Sequence, residues 1–243
     1  MTNKSSWQLS KESYAWIWDN LSVIIKFLIP TSIIIVIGSY IFWNLSNPLI
    51  AIIIYLLGLY FVCSSMVQIH RMIVLNESGK KNKLDLFPKP EKSFFIYFGV
   101  WCVLNFLNTL SDRIIENSQI PLLISIFIII AILYIIIRGY LIFPAVAVNK
   151  DITHVLNISQ NKFWKISLSS LYIILPMFVI SFIFIFIFLI TLGVLDPIYF
   201  NLFGYPLFFI LFVLNFIIIN IHYSILFLEF ENQLKISETK LKN

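Results

Sequence analysis

Four cationic side chains stand near one end of four different apolar runs: Lys26, Arg71, Arg138 and His222. Drawn together they would form a pocket for a lipid phosphate or another anion, because an arginine guanidinium offers a planar fork to phosphate oxygens. Arg138 is the most deeply placed of the four. The competing expectation is that each cation snorkels to the headgroup layer and only anchors its own helix.

A second set is polar and lies further inside the apolar runs. Asn105, Asn108 and Asp112 follow one another at i, i+3 and i+7, which puts them on one helix face. An amide near mid-bilayer is unfavourable without a partner, so this face is expected to look into a helix bundle. Asn215, His222 and Glu229 recur every seven residues, a step that returns to within about 20° of the same direction. Asn105, Asn108, Asn215 and Glu229 thus make a polar intramembrane seam, which either glues helices together or lines a proton or solute path.

Other chemistry finds little support. His70, His154 and His222 lie on separate segments, with no His-x-x-x-His or paired-Cys spacing, so no metal is expected. There is no Gly-x-Ser-x-Gly, phosphate-binding glycine loop or His-Glu-x-x-His, so neither catalysis nor a cofactor is expected. The seven glycines include no pair four apart, which excludes a Gly-x-x-x-Gly helix dimer.

The elements that must position these residues follow from composition. Of 243 residues 60% are apolar and 12% charged, against roughly half and a quarter in a soluble domain. Crossing ~30 Å of hydrocarbon takes about 20 helical residues. Six runs reach or approach that length, at about residues 21–43, 48–70, 94–111, 120–143, 166–194 and 203–228. The Phe-Ile alternation of 182–188 has a strand-like period, but in lipid an unpaired strand would leave its backbone unsatisfied, so it is expected to be helical. The fold class is therefore all-α: a single polytopic membrane bundle over residues 1–243.

Charge sorts the connections. With six spans both termini share a side, and fourteen Lys and Arg residues then fall on that side against Arg113 alone on the other. Positive charge marks the cytoplasmic side, so both termini are expected in the cytoplasm, and the net charge of +5 requires no nucleic acid. The first apolar run is too long for a signal-peptide core and is expected to stay. Cys63 and Cys102 both fall in spans, as small residues tolerated at helix interfaces.

Two surface helices are expected at the cytoplasmic side. Residues 7–19 carry Trp7, Trp16 and Trp18, and indoles favour the headgroup layer. Residues 152–163 follow a break near Pro144 and have Asp151 as N-cap, with Ile152, Val155, Leu156 and Phe163 on one stripe. Pro30 should kink the first span or leave a backbone defect for a neighbour to satisfy. The loop 76–93, with Pro88 and Pro90, is expected to be mostly irregular, and the tail after Glu229 a frayed helix end. Ser13, Trp18 and Pro30 recur 146 residues on as Ser159, Trp164 and Pro176, the mark of a parallel repeat of helical hairpins.

Two stretches carry a family resemblance. His70-Arg71-Met72-Ile73-Val74-Leu75-Asn76-Glu77 closes the second span; Arg138, Pro144-Ala145, Asp151, Ser159 and Trp164 define the bend after the fourth. Both are similar to motifs of bacterial integral membrane proteins grouped with the glycerophosphoryl diester phosphodiesterase membrane domain. This chain has Leu75-Asn76-Glu77 where that family usually has Leu-Leu-Gly-Glu. The resemblance implies a six-span protein of the bacterial inner membrane. It implies no hydrolysis, since in that family catalysis belongs to a separate soluble barrel.

The expected role is non-catalytic, with the cytoplasmic face contacting membrane lipids or a membrane-protein partner. The alternative is a small transporter or channel with a polar path between spans three, four and six.

Overall fold

In the computed structural model residues 4–45, 48–75, 92–116, 121–193 and 205–242 are described. They form an all-α polytopic bundle, and no strand occurs among them. In chain order the helices are α1 (Ser6–Asp19), α2 (Leu21–Leu45), α3 (Pro48–Val74), α4 (Lys92–Glu116), α5 (Leu122–Gly139), α6 (Ile142–Ala147), α7 (Ile152–Ile158), α8 (Phe163–Gly193) and α9 (Tyr205–Lys242). Of the loop expected at 76–93, residues 76–91 lie outside the described residues, while Lys92 and Ser93 already belong to α4.

Among the described residues five spans are long and apolar enough to cross a membrane, α5 with α6 counting as one, and six if the α1–α2 pair, bent by 72°, is one span. The Phe-Ile alternation lies inside α8, where the backbone bonds to itself as lipid demands. The apolar windows of α3 and α9 are each 61% buried and that of α8 only 6%, so α3 and α9 are central and α8 is peripheral. Large side chains such as Phe182, Phe184 and Ile187 are exposed on α8. A bilayer suits such a surface, since lipid tails are as apolar as the side chains they meet.

The bend after α5 has a local cause at each step. Pro144 has no N–H to give to the carbonyl four residues back, so the α-helical ladder cannot run on through Tyr140. The ladder tightens instead, with Leu141 N donating to Arg138 O at 3.1 Å. α6 then ends where Asn149 takes φ 60°. Lys150 N reaches Ala145 O at 2.9 Å and Asn149 N reaches Val146 O at 3.0 Å, the paired bonds of a Schellman cap. Asn161, at φ 59°, turns the chain from α7 into α8. Asparagine is one of the few residues that enters this left-handed region readily.

Three expectations are corrected. The bend is not wholly at a surface: Phe143, Pro144, Ala145, Val146 and Ala147 are buried, and α6 packs against α3, α4 and α9. The tail after Glu229 is not frayed, because α9 continues as one helix of 38 residues, about 57 Å at 1.5 Å per residue. Asp151 holds the N-cap position of α7 without a side-chain cap bond, and of the expected stripe Val155 is buried while Ile152 and Leu156 are exposed.

α4 and α5 approach closely at Gly139, where an added Cβ would come 2.8 Å from Leu104 Cδ2. Leu104 is itself buried, so it has little room to yield. We predict that Gly139→Ala lowers the thermal melting point of the purified protein, by an overpacking cost of about 1–3 kcal/mol. Leu104→Ala in the same chain should make the combined loss smaller than the sum of the single losses. Strict additivity would show that the contact is not the cause.

Candidate functional site

The polar side chains of the bundle gather around α9 and around the bend between α5 and α8. α1 supplies the first group. Ser5 and Gln8 form a capping box that starts it, with Gln8 N bonded to Ser5 Oγ at 3.3 Å and Ser5 N bonded to Gln8 Oε1 at 2.8 Å. Its serines let its backbone come close to a neighbour, as small residues do in membrane helix pairs. Ser6 Oγ donates to Lys165 O at 3.4 Å, Ser10 Oγ to Ser169 O at 3.0 Å and Tyr14 OH to Ile173 O at 3.3 Å. The constant offset of 159 residues means that α1 runs parallel to the start of α8. Against α9 the order reverses: Lys4 N donates to Glu229 Oε1 at 3.3 Å and Ser13 Oγ meets His222 Nδ1 at 2.8 Å. α1 is therefore wedged lengthwise between α8 and α9, where a helix lying flat on a surface was expected.

That wedge also repairs a backbone defect. Pro176 inside α8 leaves the carbonyl of Tyr172 without its helical donor. Tyr14 OH lies 3.4 Å from that oxygen and shares its one proton between it and Ile173 O. The spacing Ser6, Ser10, Ser13 was the sequence signal for the wedge, and it carries no glycine.

Of the four cations, Arg138 and His222 have different partners on different helices. Arg138 closes the α5–α7 corner. Its Nη2 donates to Ser159 Oγ at 2.8 Å and to Leu156 O at 3.1 Å, Nε to Ser159 Oγ at 3.3 Å, and Nη1 to Tyr134 OH at 2.9 Å. Leu156 O is one of the last carbonyls of α7, which a helix leaves unpaired, so the guanidinium serves as a C-terminal cap. His222 is buried, with Ser13 on Nδ1 and no partner on Nε2. Lys26 is exposed on α2, and Arg71 is half-buried at the end of α3.

The expected seam divides in the same way. Asn215 donates to Ser181 Oγ on α8 at 3.0 Å. Glu229 accepts from Lys4 N, accepts from Gln233 at 2.6 Å, and faces Lys165 at 3.8 Å. Asn105, Asn108 and Asp112 are exposed, so their face of α4 looks away from the bundle where it was expected to look in. α4 packs on α3, α5 and α6 through Tyr97, Leu104 and Ile114; Asn105 and Asp112 are turned from Leu104 by roughly a quarter turn, while Asn108 follows Leu104 by one turn and is exposed beyond that contact. Cys63 is buried, whereas Cys102, expected at a helix interface, is exposed.

Two clusters escaped sequence reasoning. His70 on α3 contacts Ser224 Oγ of α9 at 2.5 Å and Tyr97 OH of α4 at 3.1 Å, and Tyr97 OH donates to Asn220 Oδ1 of α9 at 3.3 Å. All four are buried, so three helices share one polar knot. A neutral imidazole donates at one nitrogen and accepts at the other, so one of the two hydroxyls donates to the ring. On the extension of α9, buried Glu231 takes Lys150 Nζ at 2.7 Å and His154 Nε2, and so ties α9 to the α6–α7 turn. Beside it Lys162 lies 4.3 Å from the Phe230 ring centroid. Burial holds the Lys162 ammonium pKa below its ordinary value, and neighbouring Lys165 adds to that.

A cavity of about 300 Å³ opens between α1, α3 and α9, lined by Lys4, Glu12, Trp16, Asn20, Met72 and Glu229 among others. None of Lys26, Arg71, Arg138 and His222 lines it. Lys4 and Glu12 pair across it at 2.7 Å. Among the described residues no three His, Cys, Asp or Glu side chains lie together in a metal-binding group.

Glu231 and Arg138 hold α7 from opposite sides, one through Lys150 and His154, the other through Ser159 and Leu156 O. We predict that Glu231→Gln and Arg138→Gln each raise amide hydrogen exchange over residues 149–158, and that the double variant raises it further. Unchanged exchange in both single variants would show that packing alone holds α7.

No family model matches the chain, and neither a curated protein nor a solved structure matches it. The family resemblance therefore rests on the stretches His70 to Glu77 and Arg138 to Trp164 alone.

Proposed function

We propose that this is a non-catalytic integral protein of a bacterial inner membrane, both termini cytoplasmic, whose face around α1, α7 and the start of α8 contacts phospholipid headgroups. The observation that carries the proposal is the exposure of two indoles at that face, Trp7 and Trp164, which the offset of 159 residues puts at the same level of α8. Trp164, at the α7–α8 break, is 75% exposed and Trp7 is 50% exposed; Trp18, 78% exposed at the α1–α2 break, stands level with residue 177, about 20 Å further along α8. An indole gains from a layer that is apolar on one side and wet on the other, so helix breaks edged with tryptophan fit a headgroup boundary. Lys11 lies 5.4 Å over the Trp7 ring and Lys26 is exposed one turn into α2, which adds positive charge for anionic headgroups.

A transport path finds no comparable support. Asn108 is exposed on α4, Asn215 is bonded to α8, and His222 is bonded to α1, so these three do not line one route.

The test uses the full chain in vesicles whose lipids carry bromine at a shallow or a deep acyl position. We predict that shallow bromine quenches tryptophan fluorescence more than deep bromine, and that Trp7→Phe with Trp164→Phe removes most of that difference. Lys11→Gln with Lys26→Gln should lower the amount of co-purified anionic lipid, with the remainder lost more readily in high salt. Deep quenching equal to or stronger than shallow quenching, lost on replacing Trp7 and Trp164, would overturn the proposal.

A further inference from the structure

α4 carries a polar face that its own bundle leaves uncovered. Asn105, Asn108 and Asp112 are all exposed, and Thr109 stands beside them, also exposed. Asn105 and Asn108 fall in the middle third of Lys92–Glu116, far from both ends of a helix that is apolar and long enough to span a membrane. Lipid tails have no hydrogen-bonding groups to offer at that depth, so an amide left there is unfavourable until another protein group meets it.

Part of this face is satisfied by its own helix. Asn105 Nδ2 donates to Trp101 O of its own helix at 2.9 Å, and Thr109 Oγ1 donates to Asn105 O at 3.0 Å. Those two groups are therefore satisfied locally. Asn105 Oδ1 still lacks a donor, and the Asn108 amide makes no hydrogen bond among the described residues. A donor and an acceptor, one helical turn apart on one face, are what a second identical face supplies in return.

We propose that α4 is the interface of a homodimer, two copies meeting about a two-fold axis along the membrane normal. In such a pair the two α4 helices run parallel, and each Asn108 amide reaches the Asn105 Oδ1 of the partner. The contact is isologous, so one pairing rule satisfies both chains. The spacing i, i+3, i+7 is that of a seam between two parallel helices, where a buried polar residue also fixes register. Asp112, at the end of the seam, lies in the last turns of α4, close to the water layer.

The experiment uses the full chain in its native membrane, with Cys63→Ser and Cys102→Ser as background. Single cysteines are introduced as Asn105→Cys, Asn108→Cys, Val103→Cys and Leu110→Cys, then oxidised with copper phenanthroline. Val103 and Leu110 are exposed at similar depth but about half a turn of helix from the polar face. The expected result is a disulfide-linked dimer at positions 105 and 108, at least fivefold more abundant than at 103 and 110. No dimer, equal linkage at all four positions, or linkage only to a protein of different mass would overturn the proposal. A second measurement keeps folding apart from association. Asn105→Leu with Asn108→Leu should raise the dimer dissociation constant in lipid about tenfold, from the loss of two symmetric hydrogen bonds. The melting point of the monomer should not fall, because leucine suits lipid better than asparagine. An unchanged dissociation constant would overturn the proposal.

Discussion

Inside a bilayer a helix gains little by hiding apolar side chains, because lipid is as apolar as a protein core. What decides how the helices meet is where each polar group finds a partner, and in this protein most of those partners stand on α9. Asn215 bonds α8, Asn220 and Ser224 bond the knot with α3 and α4, His222 bonds α1, and Glu229 and Glu231 bond the start of α1 and the α6–α7 turn. One helix thereby fixes the azimuth and depth of most of the others. Close packing does the rest: Ile217, Ile221, Leu226, Phe227 and Phe230 on the same helix are buried.

The same constraint explains α1. A 14-residue helix rich in tryptophan and serine has the composition of a surface helix. Proline at 176 opens the ladder of α8, and an open carbonyl in hydrocarbon attracts any donor within reach. Tyr14 answers it, and the serines bring α1 near enough to do so. Trp18, by contrast, remains outside, so the helix has a side turned to its neighbours and an aromatic end turned to lipid.

Length and composition made the spans legible, since a run of about 20 apolar residues has few alternatives to a membrane helix. The direction of each face was not legible. In a soluble helix the apolar stripe points inward and gives the azimuth, but in lipid both sides are apolar and that contrast disappears. Asn105 and Asn108 could thus be placed on one face by spacing, while the side chosen by Tyr97 and Leu104 could be seen only in three dimensions. The α9 extension misled for the opposite reason. Glu229 and Glu231 look like the start of a solvated tail, yet Phe230 between them is buried and both carboxylates are held by neighbours. His70, known from sequence only as part of a motif, acquires its role from Tyr97, Asn220 and Ser224, which share no local pattern with it.

The repeat spacing adds a last structural step. Ser13 and Ser159 are both buried, and each meets a basic side chain of a later-packed or earlier helix: His222 of α9 for the first, Arg138 of α5 for the second. Trp18 and Trp164 are both exposed, and Pro30 and Pro176 both lie inside long helices. At each site a serine anchors the element that leads into a proline-bearing span, and a basic group that the sequence left open between anion binding and helix anchoring meets that serine. With Arg138 occupied by Ser159, Tyr134 and Leu156 O, and His222 locked against Ser13, neither presents a full set of donors to an incoming anion. Trp7, Trp164 and the amides of α4 are exposed outside the bundle, while inside it Nε2 of buried His222 has no partner among the described residues.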